Sequence, residues 1–186
     1  MNGVIMDGVQ MDGVQMDGTQ MDATQRDGTQ RDILQRGLWF EEFEVGVRYL
    51  HRPGRTVTEA DNVLFTTLTM NTQALHLDAA FAATQPFKQR LVNSMFTLST
   101  LVGSSVAQLT QGTLVANLGF SEITFPAPLF LGDTLYSSTV VEGMRLSASR
   151  PGQGIVVLRH VGRNQDDVIV ATALRSTLVW CEKADR

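Results

Sequence analysis

Asn93-Ser94-Met95-Phe96-Thr97-Leu98-Ser99-Thr100-Leu101-Val102-Gly103-Ser104-Ser105-Val106-Ala107-Gln108-Leu109-Thr110-Gln111-Gly112 decides the architecture of this chain. Met95, Leu98, Leu101, Val102, Val106 and Leu109 recur at spacings of three and four, which puts them on one stripe of an α-helix. Asn93 or Ser94 caps its start, and Gln111-Gly112 closes it. Ser99, Gly103, Ser104, Ser105 and Ala107 keep its middle small, and such a face predicts a sheet packed very close around it.

Four strand-like runs follow: Leu114 to Phe125, Asp133 to Gly143, Ile155 to Arg163 and Val168 to Trp180. Short connectors join them: Pro126-Ala127-Pro128, Ser149-Arg150-Pro151-Gly152 and Asn164-Gln165-Asp166-Asp167. Consecutive strands with short loops are expected to pair antiparallel. Before the long helix, Thr58 followed by Asp61 resembles a capping box, with Asp in place of Glu or Gln, and opens a helix through Leu64, Phe65 and Leu68. Asp78 can cap a second short helix, Ala79 to about Thr84, stopped by Pro86. One further strand is expected upstream. The layout is α+β: an antiparallel β-sheet wrapped around one long central helix, since no other element is long enough to cover that helix.

Residues 1–36 differ in kind. Met6-Asp7-Gly8-Val9-Gln10 is repeated, with drift, up to Arg31-Asp32-Ile33-Leu34-Gln35. Each unit offers too little apolar surface to offset the ordering of its backbone, so a flexible tail is expected, and a single folded domain over residues 37–186. Of the 186 residues, 43% are hydrophobic, which is enough for a core. A formal net charge of -4 argues against a general affinity for nucleic acid. One cysteine, Cys181, leaves no intrachain disulfide and fits a reducing compartment. No apolar run approaches the roughly 20 residues that span a bilayer. A signal-peptide layout is missing at the N-terminus, so a soluble, cytoplasmic protein is expected. Three histidines and one cysteine show no metal-ligand spacing, so no metal is expected.

Candidate chemistry concentrates in Phe65-Thr66-Thr67-Leu68-Thr69-Met70-Asn71-Thr72-Gln73-Ala74-Leu75-His76-Leu77-Asp78. It places the Asn71 amide and the His76 imidazole five residues apart among short polar side chains. Imidazole is suited to proton transfer near neutral pH. By residue type alone, a structural histidine and a turn-capping asparagine are equally open readings. His51 and His160 look like strand or loop surface residues, and Asp133 after Gly132 like a turn residue. Arg90, just before the long helix, suits either an anionic substrate group or solvent.

Over residues 38 to 181 the chain resembles the MaoC-like dehydratases, the R-specific enoyl-CoA hydratases of hot-dog fold. Phe40-Glu41-Glu42-Phe43-Glu44-Val45-Gly46 resembles their aromatic-acidic opening, and Thr58-Glu59-Ala60-Asp61 their first helix start. Their signature G-D-x-N-P-x-H-x-D stands here as Met70-Asn71-Thr72-Gln73-Ala74-Leu75-His76-Leu77-Asp78. A segment like I-V-H-G-M appears as Leu91-Val92-Asn93-Ser94-Met95, and a hydrophobic residue followed by G-D as Leu131-Gly132-Asp133. His76 and Asp78 keep the pattern. Asn71 replaces the family aspartate, Gln73 its asparagine, Ala74 its proline and Ser94 its glycine. This variant resembles a subgroup acting on branched or dicarboxylic enoyl-CoA thioesters, such as mesaconyl-CoA or itaconyl-CoA.

The resemblance implies reversible hydration of an enoyl-CoA. In that reaction water is held over the β-carbon, a proton moves at the α-carbon, and the enolate-like oxygen is stabilised. It implies His76 as the proton-transfer group, Asn71 as water orienter and the Ser94 backbone N–H as oxyanion donor. Gln73, Asp78, Arg90 and Asn93 are the expected substrate contacts. Coenzyme A enters as part of the substrate, with no other cofactor. A homodimer is implied, its sheets joined edge to edge and its sites at the interface. Two rival functions stand beside this one: a hot-dog thioesterase, and a non-catalytic acyl-CoA-binding subunit, for which the lost aspartate speaks.

Overall fold

The computed structural model describes residues 31–183. The repeats at 1–30 lie outside the described residues, and so does most of the expected tail. The chain divides between Leu34 and Gln35, and every element below belongs to the second unit.

Its elements, in order, are a 3₁₀ turn (Phe40–Glu42), β1 (Arg48–Thr56), α1 (Glu59–Leu68), α2 (Ala74–Leu77), α3 (Ala79–Thr84), α4 (Ser94–Leu109), β2 (Leu114–Thr124), β3 (Thr134–Leu146), β4 (Gln153–Arg163) and β5 (Ile169–Trp180). Five strands make one antiparallel sheet in the order β1-β3-β4-β5-β2. α4 packs on β1, β3, β4 and β5, the helix-in-sheet arrangement of the hot-dog fold.

Sequence and structure agree on most boundaries for physical reasons. The Thr58 side chain accepts from the Asp61 N–H at 3.2 Å, and the Asp61 carboxylate accepts from the Thr58 N–H at 2.9 Å, closing the expected capping box. Asp78 Oδ1 accepts from the Phe81 N–H at 2.9 Å and starts α3. Asn93 caps α4, its Oδ1 accepting from the Met95 N–H at 3.0 Å. Along β4, Gly154, Val156, Leu158, His160 and Gly162 alternate as the buried face, and along β5 Ala171, Ala173, Arg175, Thr177 and Val179 do the same. The Cβ position of Gly162 points at Leu135 and Leu101, which identifies this as the face toward α4.

Three expectations fail. β2 does not pair with β3, its neighbour in sequence; it pairs with β5, and β3 pairs with β1. The connector from Phe125 to Asp133 is no hairpin: Phe130 within it bridges to Leu91, ahead of α4, so the chain crosses to the far side of the sheet. Second, the small side chains of α4 do not face the sheet as a set. Ser105 is buried, but Ser99, Gly103, Ser104 and Ala107 are exposed, and Leu98, Leu101, Ser105 and Leu109 form the covered face.

Third, His51 and His160 are not at the surface. They are 4% and 0% exposed, because both occupy positions of the strand alternation that face α4. A hydrogen-bonded row offsets part of this burial, while His160 Nε2 and Arg175 Nη1 stay buried without a partner among the described residues. The Gln108 Oε1 can only accept, so His51 Nδ1 donates to it at 3.0 Å. His51 Nε2 then accepts from the Thr139 hydroxyl at 2.7 Å, and Thr139 Oγ1 accepts from His160 Nδ1 at 2.9 Å. Arg175, 3% exposed, continues the row toward β2 by donating from Nε to Asn117 Oδ1 at 3.1 Å. Burial, with the Arg175 and His51 charges nearby, drives His160 down to about 3.

Candidate active site

The site is assembled on the buried side of α1, one turn after its cap. Asn62 and Thr66 are both fully buried there and gather three separate segments. The Thr66 carbonyl accepts from the Asn71 N–H at 3.0 Å, and its hydroxyl accepts from Asn93 Nδ2 at 3.2 Å. Asn62 Nδ2 donates to the carbonyls of His76 (3.1 Å) and Leu91 (3.4 Å), while its Oδ1 accepts from the Asn93 N–H at 2.8 Å.

His76 lies in α2, a single turn, half-buried. Its Nδ1 is 2.9 Å from the Leu91 carbonyl oxygen. A carbonyl only accepts, so Nδ1 carries a proton, and the tautomer this selects has its lone pair on Nε2. Among the described residues Nε2 makes no hydrogen bond.

Asn71 follows Met70, a non-glycine residue at φ 55 that turns the chain sharply out of α1. Its Oδ1 accepts from the Gln73 N–H at 3.0 Å, an Asx turn that shapes the approach to α2. Gln73 is the N-cap residue of α2 but does not cap it through its side chain, which is exposed.

At the head of α4, the Asn93 N–H is taken by Asn62, the Met95 N–H by the Asn93 side chain and the Thr97 N–H by the Asn93 carbonyl. This leaves the N–H groups of Ser94 and Phe96 without a hydrogen bond among the described residues, and of the two residues Ser94 is the exposed one, at the positive end of a 16-residue helix. Ser94 borders a cavity of about 260 Å³ with Leu91, Thr97, Phe125, Pro128 and Val170. His76 is not among the lining residues; its ring is tied to one of them through the Leu91 carbonyl.

The remaining predicted site residues serve the scaffold in part. Asp78 caps α3, and Asn93, 2% exposed, has both side-chain groups in use. Arg90 forms an ion pair with Glu59 at 2.7 Å. Asp133 is a turn residue as expected: its Oδ2 accepts from the Phe130 N–H at 2.8 Å and its Oδ1 from Gln165 at 2.7 Å. Sequence analysis missed Asn62 and Thr66. Their signal was there, two polar residues four apart on what must be the covered side of an amphipathic helix. Among the described residues no three His, Cys, Asp or Glu side chains are grouped to hold a metal ion, and no helix is long and apolar enough to cross a membrane.

With this geometry in view, comparison with known proteins is specific. Residues 42–162 match the MaoC-like domain family. The β-methylmalyl-CoA dehydratase of Chloroflexus aurantiacus is 31% identical over 144 residues, covering 77% of this chain and 40% of that protein. The mesaconyl-CoA hydratase of Cereibacter sphaeroides is 29% identical over 143 residues, covering 77% of this chain and 41% of its own. A solved structure of a putative MaoC-domain dehydratase from Chloroflexus aurantiacus superposes with a TM-score of 0.76 at 29% identity, covering 83% of this chain and 44% of that one. The chain thus spans about two fifths of the length of these curated relatives.

Proposed function

The chain belongs to the MaoC-like domain family, and from that membership we propose that it catalyses the reversible hydration of an enoyl-CoA thioester with a branched or dicarboxylic acyl group. The observation that carries this reading is the presence, in the matched segments, of a His76 ring tied through Nδ1 with Nε2 unengaged and of an unbonded Ser94 N–H at the head of α4. The acyl preference takes its support from the β-methylmalyl-CoA and mesaconyl-CoA named for the two relatives.

In the hydration direction, water adds its oxygen to the β-carbon as His76 Nε2 takes its proton. The C=C electrons move toward the thioester carbonyl, whose oxygen gains charge. The Ser94 N–H, with the α4 dipole behind it, stabilises that oxygen. The α-carbon then collects the proton from the imidazolium, and the enolate collapses to the thioester. Asn71 has no titrating group; its Nδ2 and the second lone pair of Oδ1 orient the water. The cavity of about 260 Å³ beside Ser94 takes the acyl group. Gln73 and Arg90, the latter shared with Glu59, are the polar contacts we assign to the substrate, because Asp78 and Asn93 serve caps. Coenzyme A enters as part of the substrate, with no separate cofactor, in a cytoplasmic setting.

A second copy completes the unit. β2 is an edge strand, and Leu118, Phe120, Ile123 and Phe125 leave its surroundings apolar and exposed. An edge of this kind calls for a partner strand. We assign it to a homodimer joined through β2.

The test is a panel of enoyl-CoA esters followed at once by loss of enoyl absorbance and by thiol release. Absorbance loss without free thiol supports the hydratase. Thiol release identifies a thioesterase instead, and binding without either change identifies a non-catalytic subunit.

A further inference from the structure

We propose that Asn62, which belongs to neither signature segment, is the positioning residue of this site: it locks the turn bearing His76 to the entrance of α4 and so fixes the imidazole relative to the Ser94 amide. The inference rests on the roles of His76 and Ser94 given above.

The amide is matched to its surroundings group by group. Asn62 is 0% exposed, midway along α1, so each of its polar atoms needs a partner. Its two N–H groups meet two carbonyls, those of His76 and Leu91, and its oxygen meets one N–H, that of Asn93. The Leu91 carbonyl is also the acceptor that fixes the His76 tautomer. One side chain therefore bonds the backbone of the proton-transfer residue, the oxygen that orients its ring, and the residue directly before the oxyanion amide. Among the described residues the only other backbone tie between these segments is the Leu91 N–H to the Leu75 carbonyl at 3.2 Å. An aspartate keeps the acceptor for Asn93 but turns a bare oxygen toward two carbonyls. A serine cannot reach all three partners.

Loss of this clamp lets His76 and Ser94 drift apart while the cavity stays, so kcat falls and KM holds. A displacement of about 1 Å is enough for a hundredfold effect.

The experiment uses the full chain and whichever enoyl-CoA the wild type hydrates, with Asn62→Ser, Asn62→Asp and His76→Ala compared per folded molecule by circular dichroism. The Asn62 variants should lose roughly 10- to 100-fold in kcat with KM within about threefold. The ratio of Asn62→Asp to wild-type kcat should rise as pH is lowered from about 8 to about 6, since the new carboxyl must be protonated to donate to either carbonyl. ¹⁵N NMR of wild-type His76 should show the proton on Nδ1, a readout that needs no variant to fold. Asn62 variants within twofold of wild type beside an inactive His76→Ala overturn the positioning role alone, and so does an Nε2–H tautomer in the wild type. A fully active His76→Ala overturns the underlying reading and this inference with it.

Discussion

Acidification should weaken this fold well before its carboxylates titrate, and His160 should be the main cause. Unfolded, its imidazole has an ordinary value of about 6.5; folded, burial and the Arg175 charge hold it at about 3. Between these values the unfolded chain binds a proton that the folded chain refuses, so stability is complete above about 6.5 and is lost as pH falls toward 3. Linkage makes the loss about 1.4 kcal/mol per pH unit in that window, or about 2 kcal/mol by pH 5. Burial lowers His51 as well, which adds in the same direction. The carboxylates of Asp61 and Glu142 are held low by the Thr58 N–H and by Arg159 respectively. What they contribute is present above their unfolded values of about 4 and is lost below, so it leaves the interval from 8 to 5 undisturbed. Urea unfolding at these two pH values, at one fixed protein concentration, measures the difference. His160→Asn keeps a donor for Thr139 and cannot titrate, so it should be less stable at pH 8 yet lose about 2 kcal/mol less on going to pH 5. Equal losses in wild type and variant would refute the assignment of acid sensitivity to His160.

Four further outcomes are expected. His76→Ala should lower kcat by roughly two to four orders of magnitude with folding intact, measured on the best enoyl-CoA. Asn71→Asp should raise KM for a dicarboxylic enoyl-CoA, by a margin that shrinks with added salt, while a neutral crotonyl-type ester improves or holds; unchanged KM values for both speak against an amide suited to an anionic acyl group. Gly154→Ala should cost about 1–3 kcal/mol in urea unfolding, because the new Cβ overlaps the Phe40 ring and drives it from the cluster it shares with Val156 and Leu158. Ile123→Lys should shift light-scattering mass toward the monomer, and a mass already monomeric in the wild type at micromolar concentration refutes pairing through β2.

The helices were legible because their signals are local. A capping box needs only Thr58 and Asp61, and the stripe of α4 needs only its own spacing. Strand order was less legible, because pairing is decided by where the chain goes between strands. Nothing within Leu114 to Phe125 says that its partner is β5 rather than β3; the Leu91–Phe130 bridge decides it, and that bridge joins segments 39 positions apart. Which side of α4 meets the sheet was misjudged for a related reason. Small side chains permit close approach but do not attract it, and the stripe carrying Leu98, Leu101 and Leu109 removes more apolar surface from water.

The polar interior was the least legible part, and its two histidine-centred clusters explain why. A polar residue facing the core is identified by its partners, and those lie 57 and 88 positions away for His51, and 14, 29 and 31 away for Asn62. The two clusters differ in what is left over. Around His51 and His160 the bonds run toward the Gln108 carbonyl, burial keeps the rings neutral, and the one unbonded ring nitrogen, His160 Nε2, is sealed from solvent, which suits packing α4 on the sheet. Around His76 the bonds consume Nδ1 and stop, leaving Nε2 without a hydrogen bond on a half-buried residue. That difference is why the proposed function assigns proton exchange with a substrate to His76 rather than to the two histidines of the core. It also shows why an asparagine can stand where the family has an aspartate. The Asn71 N–H is held by the Thr66 carbonyl and the His76 carbonyl by the Asn62 side-chain amide, so the turn keeps its shape without the carboxylate, and on the proposed function the proton-transfer work falls to the imidazole.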